Sequence, residues 1–121
     1  MRSTLVAIER HLMRDGFVLR HDPRELPEEK QPAEGAFLAC TLWLADAYVL
    51  AGEFGKAEEL FARVVAIAND LGLLAEEYDT VARRQTGNFP QALTHIALIN
   101  TAHNLCAAKT PTEKPAVQRS K

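Results

Sequence analysis

The chain contains four segments with helical periodicity, and these alternate between amphipathic and apolar on nearly all sides. Residues 3–14 and 56–70 each carry an apolar stripe beside a charged side. Residues 35–51 and 91–107 are almost free of charge, and a helix of that kind is buried all round. Ser3 is placed to cap the first helix. Two amphipathic helices cover only one side of two buried ones, so the pattern predicts bare apolar surface unless a larger helical layer or a second copy packs on it.

Turn and loop signals separate these segments. Asp15-Gly16 ends the first helix, and the apolar run at residues 17–19 is short enough to be extended. Residues 20–34 contain three prolines, which predicts an irregular surface loop. Residues 80–88 form a second polar loop. The pattern therefore predicts an all-α fold built of antiparallel helical hairpins.

Composition excludes several classes of protein. The 121 residues carry a formal net charge of -2 without a basic patch, which argues against nucleic acid as a partner. No apolar run is long enough for a membrane span, and charges interrupt the N-terminal stretch too early for a signal peptide, so we expect a cytoplasmic protein. Cys40 and Cys106 fit that compartment as reduced, buried small hydrophobes. Neither has a second Cys or His at metal-ligand spacing, so no metal or cofactor is expected.

The stretch at residues 73–79, Leu-Leu-Ala-Glu-Glu-Tyr-Asp, holds three carboxylates and a phenol in four consecutive positions with no basic residue among them. In an extended segment Glu76 and Tyr78 share one face while Glu77 and Asp79 share the other. Glu76 and Glu77 are therefore not expected to face the same substrate atom. An acidic turn after a helix and a catalytic site are both compatible with this spacing, and functional carboxylates are the minority.

One resemblance is to the tetratricopeptide repeat. Residues 43–68 place small residues, together with Gly52, Ala57 and Phe61, near the positions that this repeat requires. Repeat proteins of this kind need several copies at a period of about 34 residues, and the sequence contains no second copy. Any two antiparallel helices that pack closely through Ala and Gly give the same pattern.

A more specific resemblance rests on three motifs in order. They are EGAFLACTLWL (residues 34–44), NDLGLLAEEYD (residues 69–79) and GNFPQALTHIALIN (residues 87–100). Together with the opening helix they make residues 4–106 similar to the C-terminal part of family 15 glycoside hydrolases, the glucoamylases and their bacterial trehalase relatives.

The resemblance implies an (α/α)6 barrel in which outer and inner helices alternate. The amphipathic segments would be outer helices, the apolar segments inner helices, and the chain would supply about a third of the barrel. This assigns residues 1–107 to a partial catalytic domain. Residues 108–121 have no periodicity and are expected to be a disordered tail.

The resemblance also implies inverting hydrolysis of an α-glucoside. One carboxylic acid protonates the leaving oxygen, and a second carboxylate, about 6.5–9.5 Å away, activates water. The family's base maps onto Glu76. Glu77 falls where other members have Gln and is assigned a supporting role, and Tyr78 is a candidate to hydrogen-bond the base or the sugar.

Further candidates flank these motifs. Glu34 and Trp43 are candidate substrate-binding residues, although a Trp on an apolar helix usually packs in a core. His95 either faces the barrel centre or is a satisfied core histidine, and His103 is left as a core or helix-end residue. Asn88 and Gln91 lie in the loop before the last helix, where substrate contact is possible.

The sequence departs from the family in one chemical respect. The family's general acid lies in a Trp-Glu stretch, whereas the single tryptophan here, Trp43, is followed by Leu44. We therefore expect that the isolated chain does not hydrolyse malto-oligosaccharides or trehalose at a useful rate, and that it needs the missing barrel segment or associates with itself through exposed apolar helix faces. The alternatives are a non-catalytic helical interaction module and an inactive remnant.

Overall fold

The computed structural model describes residues 1–25 and 34–109. This part of the chain is mostly helical, with helices α1 (Arg2–His11), α2 (Leu38–Leu50), α3 (Phe54–Ala66) and α4 (Ala92–Lys109). Short strands lie between them: β1 (Met13–Arg14), β2 (Phe17–Val18), β3 (Ala36–Phe37), β4 (Glu77–Asp79) and β5 (Arg84–Thr86). The prediction of an all-α fold is correct for the helices, but it missed a two-stranded sheet, β1-β2, and a three-stranded sheet, β3-β4-β5.

Strands β1 and β2 form a hairpin directly after α1. Met13 pairs with Val18 across the turn residues Asp15 (φ 51°) and Gly16 (φ 85°). Two consecutive left-handed residues make the tight turn whose twist matches antiparallel strands. Because β1 starts here, α1 ends at His11 and not at residue 14. The predicted Ser3 cap is also wrong, since the N-cap is Met1, two residues earlier.

Helix α2 is the centre of the packing and contacts both α3 and α4. Leu38 and Leu42 are fully buried, and two clusters of buried apolar side chains lie along the helix. Buried hydroxyls are satisfied by the backbone, because the Thr41 Oγ1 accepts from Val18 N–H at 2.9 Å and donates to Phe37 O at 2.9 Å. That bridge joins α2 to the β1-β2 hairpin.

Helices α2 and α4 are not buried on all sides in the described chain. Trp43 on α2 is 52% exposed, and α4 presents Leu93, Ile96 and Ile99 to solvent with exposed fractions of 46%, 56% and 66%. The buried residues of α4 (Thr94, Ala97, Thr101 and Leu105) lie on the side towards α2. The prediction of bare apolar surface is confirmed, while α1 and α3 are amphipathic as expected.

Several predicted boundaries change. Helix α2 begins at Leu38 because the two residues before it pair as β3, and α3 ends at Ala66 because Asn69 starts a turn that its side chain closes onto Leu73 N–H at 2.8 Å. The predicted polar loop at residues 80–88 contains β5. The loop at residues 20–34 opens with a 3-10 turn, Pro23–Glu25, and its residues 26–33 lie outside the described residues.

The remaining sequence predictions concern the tail, the cysteines and the membrane. Helix α4 continues to Lys109, and residues 110–121 of the predicted tail lie outside the described residues. Cys40 is half-buried, and burial raises the pKa of its thiol. Cys106 is exposed, so its predicted burial is wrong. Among the helices of the described chain, none combines the length and the apolar character that a membrane crossing requires.

Candidate active site

The acidic stretch forms the middle of the three-stranded sheet. Strand β4 pairs with β3 on one side, with Phe37 opposite Glu77, and with β5 on the other, with Thr86 opposite Glu77. Residues Glu77–Asp79 are therefore extended. Glu34 lies two residues before β3, and its carboxylate is close enough to Glu77 to act on the pKa of that residue.

Backbone hydrogen bonds hold Glu76 between two chain segments. Its N–H donates to Asn88 O at 2.9 Å, and its carbonyl accepts the Leu38 N–H at 3.1 Å. Its carboxylate oxygen Oε2 accepts the Asn88 N–H at 3.2 Å. The segment that follows β5 and the first turn of α2 thus fix both the backbone and one carboxylate oxygen of this residue.

Glu76 and Glu77 lie on the same side of the sheet, contrary to the prediction from strand alternation. A Cβ atom added at Gly87 would lie 3.1 Å from Glu76 Oε2 and 2.9 Å from Glu77 Oε2, so both oxygens lie over this glycine. Glu76 precedes β4 in a bend, and the alternation of strand side chains does not extend to it. Gly87, with φ 79°, leaves the space that both carboxylates occupy.

Burial is the main reason that the pKa of Glu77 is raised above its ordinary value of 4.5, and the neighbouring carboxylates Glu34 and Glu76 raise it further. The Arg20 guanidinium and the Gly35 amide act in the opposite direction. Glu77 Oε1 is buried and has no hydrogen-bond partner among the described residues. Arg20 also pairs with Glu34. The arrangement favours a carboxyl group at Glu77 that holds its proton longer than an ordinary glutamic acid does.

Because the pKa of Glu77 is raised, we predict that Glu77→Gln increases the stability of the folded chain by an amount that depends on pH. The folded state takes up the Glu77 proton more readily than the unfolded state, so the wild type loses stability as pH rises from about 4.5 through this titration. We expect Glu77→Gln to unfold at higher urea concentration than the wild type at pH 7 and at the same concentration below pH 4. Asp70→Asn, an exposed control, should shift the midpoint at neither pH. If Glu77→Gln increased the urea midpoint equally at pH 7 and below pH 4, the raised pKa of Glu77 would be contradicted.

A metal centre is not indicated by the described residues. Residues 1–25 and 34–109 contain no group of three His, Cys, Asp or Glu side chains placed to hold a metal ion. The site contains carboxylates, one guanidinium and backbone amides, and carboxylates can accept or donate protons.

Comparison with known proteins gives the family. The sequence model of the glycosyl hydrolases family 15 matches residues 1–103. This chain is a member of that family. It is 41% identical over 109 residues to a trehalase of Mycobacterium tuberculosis, covering 90% of the chain and 16% of the relative. It is 38% identical over 117 residues to a trehalase of Mycolicibacterium smegmatis, covering 97% of the chain and 18% of the relative.

A trehalase of the archaeon Thermoplasma volcanium is 37% identical over 103 residues, covering 85% of the chain and 16% of the relative. The family 15 chain thus spans less than a fifth of the length of the curated relatives it matches. No solved structure matches it significantly.

In this family 15 chain the predicted site residues fall into two groups. Glu34 and Glu76 both lie near Glu77, which is in the central strand of the three-stranded sheet. The Tyr78 ring packs on Phe17, with ring centroids 4.9 Å apart, and contributes to the core. Trp43 lies on the exposed side of α2 and is not a core residue of the described chain.

Other residues of the site were not predicted, or were predicted with a different role. Arg20 pairs with Glu34 and lies 4.6 Å above the Phe37 ring, and only the fold brings it there. Gly87 was predicted only as part of a polar loop, although glycine is the residue that permits such a close approach. His95 is half-buried and accepts the Leu74 N–H through Nε2 at 3.1 Å, which favours the satisfied histidine of the two predicted roles.

Proposed function

We propose that this chain is the part of a trehalase-like α-glucoside hydrolase that carries the general base, Glu76. The observation that carries the proposal is the placement of Glu76, which two neighbouring segments fix through its backbone and through one carboxylate oxygen. A general base must be held within hydrogen-bond reach of the proton it removes. The relatives that match the chain are named trehalases, and trehalose is therefore the substrate that we propose.

The proposed reaction inverts the anomeric centre. The Asn88 N–H holds Glu76 Oε2, and we assign Oε1 to the water that attacks the anomeric carbon. As the water oxygen bonds to the anomeric carbon, Glu76 takes a proton from that water. The bond from this carbon to the glycosidic oxygen breaks, and that oxygen leaves with a proton from a general acid on the opposite face of the sugar. Glu77 lies beside Glu76, and burial is the main cause of its raised pKa.

The general acid and the rest of the pocket are proposed to come from further helices of an (α/α)6 barrel, either in a longer polypeptide or in a separate chain. In this arrangement α1 and α3 are outer helices, and α2 and α4 are inner helices. The exposed apolar residues of α4 support it, because Leu93, Ile96 and Ile99 form one stripe on the side away from the buried residues of the helix.

A complementation assay tests the proposal. The Mycolicibacterium smegmatis trehalase lacking its matching 117-residue segment would be mixed with this chain, and glucose release from trehalose and from maltotriose would be measured. We expect neither protein alone to release glucose, and the mixture to hydrolyse trehalose. Ile96→Lys should abolish the effect of mixing, because it puts a charge on the proposed inner surface. Val65→Lys, a matched change on the exposed side of α3, should not.

Each result has a defined meaning. Hydrolysis by the mixture only, with the expected difference between the two lysine variants, supports a base-bearing barrel segment. Binding without hydrolysis favours a non-catalytic interaction module. If the chain neither binds nor hydrolyses, while both proteins are folded by circular dichroism, the proposal is wrong and the inactive remnant is the better interpretation.

A further inference from the structure

The segment that leads into Glu76 has no regular secondary structure, yet every backbone N–H and C=O from Leu73 to Glu76 is hydrogen-bonded. Backbone groups of neighbouring segments bond Glu76, and the Gln91 N–H bonds Leu74 O at 3.0 Å. The other groups of the segment are bonded by side chains, those of Asn69, Gln85, Thr94 and His95. Side chains therefore bond five of the eight backbone groups of this segment, and Leu73 O also accepts the Asn69 N–H at 3.1 Å.

Gln85 makes the most extensive of these contacts. Its Oε1 accepts the Ala75 N–H, and its Nε2 donates to Leu73 O at 3.2 Å. A glutamine amide carries a donor and an acceptor side by side, so it can bond two peptide groups in the way that a neighbouring strand does. Gln85 is held in β5, opposite Tyr78, and its backbone is therefore fixed on the same sheet that carries Glu77.

His95 bonds Leu74, the residue that lies between the two bonded by Gln85. Its Nε2 accepts the Leu74 N–H at 3.1 Å, which requires a neutral ring with its proton on Nδ1. Next to it on α4, the Thr94 hydroxyl donates to Ala75 O at 2.9 Å. Leu74 and Ala75 are buried, with exposed fractions of 0% and 1%, so water cannot replace these bonds without opening the core.

We propose that Gln85 and His95 are positioning residues that set where the Glu76 carboxylate lies. Together they bond three successive residues, Leu73, Leu74 and Ala75, directly before the proposed base. The proposal rests on the assignment of Glu76 as general base. A catalytic group displaced by 1 Å can lose about 10²-fold in rate, so the loss of either side chain lowers turnover without removing a contact to substrate.

Two measurements on the 121-residue chain test the geometry without any enzymatic activity. In the wild type, NMR should show the His95 ring as the Nδ1–H tautomer, with a scalar coupling across the hydrogen bond from the Leu74 amide nitrogen to Nε2. In His95→Leu, amide exchange of Leu74 should be faster by about 2- to 10-fold, the loss expected for one hydrogen bond. His103→Leu changes the same residue type on an exposed position of the same helix and should leave Leu74 exchange unchanged.

Kinetics in the complemented hydrolase test the consequence. His95→Leu and Gln85→Met are expected to lower kcat for trehalose by about 10- to 100-fold with KM within about 3-fold of the wild type. His95→Gln retains an acceptor at about the position of Nε2 and should recover most of the lost kcat. A role in stability alone would instead lower the yield of folded complex without this pattern.

The outcomes separate the two proposals. An Nε2–H tautomer, or Leu74 exchange equal in His95→Leu and His103→Leu, overturns the positioning role whatever the enzyme does. If the complemented wild type hydrolyses trehalose and His95→Leu keeps its kcat, the positioning role is also overturned. If the truncated trehalase mixed with the wild-type chain is inactive while NMR shows the expected tautomer and coupling, the hydrogen bonds of residues 73–76 are confirmed and the proposed function is wrong. If His95→Leu does not fold, the wild-type tautomer and coupling still decide the geometry.

Discussion

Glu76→Gln is expected to lower kcat for trehalose in the complemented hydrolase by about 10²–10⁴-fold, the contribution of general acid–base catalysis. Gln keeps the size of the side chain and can still accept the Asn88 N–H, so Glu76 is replaced without a change in packing. An amide cannot take the proton of the attacking water. KM should change little, because the proposed base acts on water and not on the sugar. The measurement is steady-state glucose release at saturating trehalose.

Glu77→Gln is the matched control for this experiment. It makes the same chemical change one residue away, on the same side of the sheet and beside the same glycine. Because Glu77 is assigned a supporting role, its substitution should lower kcat by less than about 10-fold. If Glu77→Gln abolished turnover and Glu76→Gln did not, the base would have to be reassigned to Glu77.

The stereochemistry of the product gives an independent check on the reaction. An inverting enzyme releases one glucose of trehalose as the β anomer, and proton NMR can detect it before mutarotation equilibrates the anomers. Release of only α-glucose would contradict direct attack by a water that Glu76 activates, even if Glu76→Gln were inactive.

Gly35→Ala is expected to destabilise the chain by about 1–3 kcal/mol, the usual cost of overpacking. An added Cβ would lie 2.6 Å from the Tyr78 carbonyl oxygen and 2.8 Å from its carbonyl carbon. These are backbone atoms of β4, so they cannot rotate away, and β3 must move from β4. The free energy of unfolding in urea, followed by far-ultraviolet circular dichroism, measures the effect.

Gly55→Ala provides a control of opposite sign. An added Cβ at Gly55 meets no atom within 4 Å, and the residue lies in α3. Because Ala favours the helix over Gly, this variant should be more stable by up to about 1 kcal/mol. Equal stabilities of Gly35→Ala and Gly55→Ala would mean that β3 does not approach Tyr78 in solution.

The sequence by itself was sufficient for features that local chemistry decides. The apolar stripe of α1 and that of α3 have helical spacing, and that spacing alone predicted two amphipathic helices. Glycines at helix ends located the turns after α1 and α2. The three motifs placed the chain in its family before the fold was known, and the sequence model of the family agrees.

Only the tertiary structure decided which side chains meet. Strands β1 and β3 have two residues each, too few for any periodicity to show, and they form because a partner strand lies alongside. The apolar sequences of α2 and α4 show that these helices can be buried on most sides. Trp43 and Ile96 are nevertheless exposed, because no element of the described chain packs against them. Gln85 and His95 contact Leu74 and its neighbours from 10 to 21 residues away in the chain. Periodicity and propensity act along the chain, whereas such contacts depend on how separate elements pack, so the sequence predicted the acidic stretch and the fold decided how it is held.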